Sequence, residues 1–87
     1  MEVKVGKVTH YFNRISVAVL ELTGDLEIGD KILIIGKTTD LTQAVTSLEI
    51  EHHKVQSVHP GMEVALKVAD PVRQGDAVYK IVDNEST

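Results

Sequence analysis

Apolar and polar residues alternate along most of the chain. A first run, Val3 to Val8, sets Val3 and Val5 against Lys4, and Gly6 inside it marks a bulge or a close backbone approach. Thr9-His10-Tyr11-Phe12-Asn13-Arg14 reads as a connection. The second run, Ile15 to Leu22, sets Ile15, Val17 and Val19 against Ser16, Ala18 and Leu20. Both of its faces are apolar, which predicts a central strand. Thr23-Gly24-Asp25 then turns the chain, and Leu26 to Asp30 approaches a third strand at Lys31 to Ile35. After the loop Gly36 to Asp40, a fourth strand is expected from about Leu41 to Glu51. It changes phase, with Val45 on one parity and Leu48 and Ile50 on the other; a bulge near Thr46-Ser47 would turn all three inward. His52-His53-Lys54 is a polar break, Val55 to Val58 a short strand, and His59-Pro60-Gly61 its stop. Glu63 to Val68 and Ala77 to Val82 are the last strands, separated by a loop from Asp70-Pro71 to Gly75-Asp76. Residues 83–87 form a polar tail.

About seven short strands with turn signals every 8–12 residues suit a barrel or sandwich. Closure removes exposed strand edges, so the expectation is an all-β fold, a small closed antiparallel barrel of six to seven strands occupying residues 1–82. An internal echo fits it. Leu26-x-x-Gly29-Asp30-x-Ile32 and Val72-x-x-Gly75-Asp76-x-Val78 share an apolar anchor, a Gly, an Asp and a strand start. Gly supplies positive φ and Asp bonds back to the turn backbone, so both are read as entries into strands.

Composition agrees. Of 87 residues 27 are Val, Ile or Thr and only 5 are Ala, which favours pleated strands over helices. The length allows one domain, and 43% hydrophobic with 25% charged residues is the balance of a globular one. Without cysteine there is no disulfide framework, thiolate site or cysteine nucleophile. No apolar run approaches the roughly 20 residues that span a bilayer. The start, Met1-Glu2-Val3-Lys4, has no signal-peptide core, so a cytoplasmic location and no membrane contact are expected. A net charge of −4 argues against indiscriminate polyanion binding.

Candidate chemistry is sparse. His10, His52, His53, His59 and Glu51 offer metal donors, but in a strand Glu51 and His53 share a face while His52 points away, so no metal site is assigned. Ser16, Ser47, Ser57 and Ser86 lie in no G-x-S-x-G context. Gly36-Lys37-Thr38 lacks the upstream Gly and the following helix of a phosphate loop. No catalytic residue, cofactor or nucleotide is therefore expected, and the chain is read as non-enzymatic. One cluster stands out against the acidic total. Lys4, Lys7 and Arg14 accompany Tyr11 and Phe12 near the N-terminus, and Lys37 could reach the same end of a barrel. Aromatic faces stack on bases while Arg and Lys neutralise phosphates.

Val5-Gly6-Lys7-Val8, Ile15 to Val19, Leu26-x-x-Gly29-Asp30-Lys31 to Gly36, Val45 to Leu48, Pro60-Gly61-x-x-Val64-Ala65-Leu66 and Gly75-Asp76-x-Val78 together resemble domain 2 of the translational GTPases. That is the β-barrel beside the GTPase domain in elongation factor Tu. A closer resemblance rests on Val5 to Phe12, Gly36 to Gln43 and Ile50-Glu51-His52, which look like the C-terminal barrel of the U32 peptidase family, here free-standing. In that family the barrel follows a catalytic domain, and several members are linked to RNA modification. With no counterpart of that domain here, no catalytic residue is carried over. Arg14 stands where the elongation-factor barrel has a small residue at its pocket for the tRNA end, so that pocket is not carried over either. The resemblance implies an accessory module in translation or RNA handling.

The expected contact surface is the end formed by His10, Tyr11, Phe12, Arg14, Lys37 and Thr38, with RNA (tRNA or rRNA) or a translation or RNA-modification protein as partner. The alternative is a protein-interaction module docking on a separately encoded U32-type enzyme or GTPase subunit, through an apolar face centred on Ala18 and Leu20. A homodimer burying that same face is a third reading, and the oligomeric state is left open.

Overall fold

In a computed structural model, residues 1–82 are described; the tail expected at 83–87 lies outside the described residues. Strands form where the aliphatic alternation runs: β1 (Glu2–Phe12), β2 (Val17–Leu22), β3 (Leu26–Glu27), β4 (Lys31–Ile35), β5 (Asp40–Ala44), β6 (Glu49–Ile50), β7 (His53–Lys54), β8 (Ser57–Val58), β9 (Glu63–Lys67) and β10 (Ala77–Ile81). Eight make one antiparallel sheet in the order β5-β4-β10-β1-β2-β9-β6-β7, and β3 pairs with β8 as a separate ribbon. One apolar core takes residues from both, including Val5, Val8, Ala18, Leu20, Leu26, Ile32, Ile34, Val58, Leu66 and Val78.

Three expectations are corrected. First, Thr9 to Phe12 is not a connection but the far half of β1. Two bulges extend it. The pairing to β10 shifts between Lys4 and Gly6, and the pairing to β2 shifts between Val8 and His10. The first is accompanied by the close approach that Gly6 signalled, since a Cβ there would stand 2.5 Å from the Glu21 carbonyl oxygen.

Second, the apolar face of β2 proposed for docking is turned inward. Ala18 and Leu20 are wholly buried in the core, so they cannot form a contact face, and Val17 and Val19 point outward. With apolar residues on both faces, alternation alone could not choose between them.

Third, the six-to-seven-stranded closed barrel is not found, because no continuous ladder joins the sheet's ends. The reason lies in the segment expected as one strand from Leu41 to Glu51. It is broken at residues 45–48, where the phase change was noted. β5 pairs with β4, and after the break β6 meets β9 at a single position, Glu49 opposite Ala65. Val45 and Leu48 are both buried, with Ile50 packed against the same core. Just before the break the Gln43 side chain acts like a short piece of backbone. Its Nε2 donates to the Lys67 carbonyl at 2.9 Å, and its Oε1 accepts from the Ala69 amide at 2.7 Å.

The echoed Gly-Asp turns share one geometry. Gly29 and Gly75 have φ of 99° and 94°, and each following Asp donates its amide at 3.1 Å to the carbonyl three residues back. That is a type II turn with Gly at its third position. In each, the Asp Oδ2 accepts at 2.9 Å from the amide of that same residue, Glu27 in one turn and Arg73 in the other. The two turns launch β4 and β10, which lie side by side. Because β4 and β10 are antiparallel, the two turns sit at opposite ends of the pair; where β10 finishes beside the start of β4, the Met1 and Val82 backbones bond to each other, with distances of 3.1 and 2.7 Å.

Gln43→Ala removes both bonds across the seam. The expected loss is about 1 kcal/mol, since the partners regain water. Urea unfolding should show a lower midpoint with an unchanged slope, and hydrogen exchange at the Ala69 amide should accelerate more than at Val78.

Candidate functional site

The bulge of β1 at Thr9 decides what its end presents. Val8 points into the core, so uninterrupted alternation would send His10 and Phe12 inward as well. The extra residue reverses the parity. Tyr11 then packs on the core, whereas His10 and Phe12 face outward and stack with ring centroids 6.3 Å apart and planes 10° apart. Thr9 ties the irregular place down, its hydroxyl donating to the Val19 carbonyl at 3.1 Å.

Of the six residues expected as one contact surface, two line different depressions. Phe12 lines a groove on the outer face of β2 and β9, while Thr38 lines a separate depression with Asp40, Asp70 and Arg73. Arg14 lies in the turn between β1 and β2, and Lys37 in the loop between β4 and β5. Both loops are at the same end of the sheet, as expected, but β10 intervenes between β4 and β1.

The groove itself has a cavity of ≈ 620 Å³. Val17 and Val19 from β2 and Ala65 from β9 contribute to its lining, and Val19 stands directly opposite Ala65 in the ladder. Phe12 and Ile15 enter from the β1–β2 turn, Ile50 from the β6–β7 hairpin, and Met62 from the start of β9. Among the described residues six large hydrophobics are exposed, and Phe12, Ile15 and Met62 are three of them, so exposed apolar surface is concentrated here. Glu49, Glu51, Glu63 and His52 supply the polar part of the lining. None of the three glutamates takes part in the ion pairs of the described residues, which are Lys7–Glu21, His59–Asp25 and Lys80–Asp30.

Two local features here oppose stability. Glu63 stands directly opposite Glu21 across the β2–β9 ladder, a like-charge pairing that the 3.8 Å contact of Lys7 with Glu21 only partly offsets. Glu51 and His52, the two-residue link between β6 and β7, have φ of 50° and 66°. Positive φ at both places is a type I′ turn, which Asn-Gly suits far better. Ser16, next to Ile15, is the third non-glycine residue with positive φ among the described residues. Glu51 and His52 line this groove, and Ser16 lies between two residues that do, Ile15 and Val17. No group of three or more His, Asp or Glu among the described residues is arranged to hold a metal ion. No helix is long and apolar enough to cross a membrane.

Comparison with known proteins places the chain beside proteolytic enzymes. It is 43% identical over 79 residues to an uncharacterised protease of Methanocaldococcus jannaschii, covering 90% of this chain. It is 35% identical over 86 residues to a collagenase of Porphyromonas gingivalis, covering 97%. The chain spans about a fifth of the length of these curated relatives, 19% of the first and 21% of the second. Its fold is that of the C-terminal domain of a Geobacillus thermoleovorans protein described as a U32 peptidase. The TM-score is 0.86 at 20% identity, over 92% of this chain and 93% of that one. No protein-family model matches. These relatives correct the non-enzymatic reading, since the proteins that match nearly all of this chain, though it spans only a fifth of each, are named protease and collagenase. Composition could not show it, because this chain matches only a fifth of each relative and carries no recognisable nucleophile or metal motif of its own.

Replacing Glu51 by Asn and His52 by Gly relieves the turn. The double variant should gain about 1 kcal/mol, read as a higher thermal midpoint with an unchanged circular dichroism spectrum.

Proposed function

We propose that this chain is the accessory β domain of a U32-type peptidase and that it contacts polypeptide there. The observation that carries the reading is the 43% identity extending over 90% of the chain to one segment of a protease. The fold match to a C-terminal domain supports the same assignment. The lining supports polypeptide as the partner. An apolar floor beside unpaired carboxylates repels phosphate and accepts side chains.

Grafting this chain into Porphyromonas gingivalis collagenase, in place of the matching fifth of that enzyme, tests the assignment. Deleting that fifth should lower kcat/KM for collagen by about tenfold or more, and the graft should restore it to within about threefold. A graft no better than the deletion overturns the reading.

A second reading keeps the elongation-factor likeness and makes the chain a tRNA- or rRNA-contacting module. One observation favours it: the exposed His10–Phe12 stack, two residues before Arg14. Stacked rings suit unpaired bases. RNA binding of this kind should weaken with salt at a log–log slope of about −0.7 per phosphate contact, and further with Arg14→Ala and Lys37→Ala. Absence of binding at low salt in a filter assay removes this reading.

A further inference from the structure

We infer that the groove between β2, β9 and the β6–β7 turn is a docking site for a polypeptide segment carrying a large apolar side chain flanked by lysine or arginine. The floor asks for the apolar side chain. Phe12, Ile15, Val17, Val19 and Met62 surround a space whose volume, ≈ 620 Å³, lies in the range of sites that hold ligands. The rim asks for the basic flanks. Glu49, Glu51 and Glu63 have no cationic partner among the ion pairs of the described residues, and Glu21 adds a fourth carboxylate opposite Glu63. Lys7, opposite Glu21, contacts that carboxylate alone, at 3.8 Å. Lys54 stands opposite Glu49 but does not line the groove, and Lys67 bounds a smaller depression beside it.

Two further observations point the same way. The like-charge pair Glu21 and Glu63, and the left-handed Glu51 and His52, both cost stability and both sit at this rim. Strained backbone and repelling charge concentrated at one place mark a surface shaped for contact rather than for folding. A cationic segment laid along the rim relieves the repulsion when it binds. This deepens the polypeptide contact proposed above, which rests on the same lining, whereas the assignment to a U32-type peptidase is tested separately by the graft. A failed graft leaves the groove's preference intact, and a groove without preference leaves the graft result intact.

The test uses the whole chain and two short synthetic peptides. One has a central Leu-Phe-Leu with lysines on both sides; the other has glutamates in place of the lysines. Binding is read from methyl chemical shifts of Val17 and Val19 in a titration. The lysine peptide should bind at least about tenfold more tightly than the glutamate peptide. Glu51→Lys and Glu63→Lys, both at exposed positions, should each weaken it about twofold to fivefold. Ala65→Trp should fill the floor and abolish the shifts, while Asp70→Lys, at the separate depression, should leave them unchanged. Equal affinity for the two peptides overturns the proposal. So do shifts confined to residues outside the groove, a groove already covered by a second copy of the chain in sedimentation, or an RNA oligonucleotide that displaces the lysine peptide from Val17 and Val19.

Discussion

The two bulges of β1 are the constraint on which the molecule depends. β1 is flanked by β10 on one side and β2 on the other, so it joins both halves of the large sheet. A strand of eleven residues with strict period two could not bury Val5 and Val8 while exposing His10 and Phe12. The extra residue at Thr9 lets one strand serve the core with its first half and the outer surface with its second. Leu20 and Val19, next in the sheet, then fall on opposite sides in step with it.

The outer surface that results is unlike the rest of the molecule. Elsewhere local rules and the global fold agree. The two Gly-Asp turns repeat one hydrogen-bonding scheme with distances that match to a tenth of an ångström, and each delivers a strand whose inward residue, Ile32 or Val78, is fully buried. Around the groove the agreement breaks. Large apolar side chains stay in solvent, carboxylates face one another, and residues with side chains take up a conformation suited to glycine. Departures gathered on one face of an otherwise consistent domain are what a binding demand leaves behind.

Much of the fold was legible in the sequence. β4 falls at the expected Lys31 to Ile35, the echo predicted twin turns, and the phase change around Thr46-Ser47 marked the break between β5 and β6. What was not legible has a common cause. Where both parities are aliphatic, as from Val17 to Leu22, burial is chosen by neighbours far along the chain, such as Ala65 and Leu66 in β9. The same ambiguity hid the groove, whose floor residues read as ordinary strand and whose rim residues Glu51 and His52 read as a polar break. The basic-aromatic cluster is spread along one end of the sheet, with Phe12 and Thr38 in separate depressions, because adjacency in sequence does not fix which strands lie between two loops.

The mutual bonding of Met1 and Val82 has an architectural consequence. β1 sets out from that junction and ends at Phe12, about 3.3 Å per residue farther on, so the groove's aromatic wall stands at the distant tip. Met1 and Val82 therefore mark one end of the folded body, and Phe12 with the groove it lines marks the opposite one.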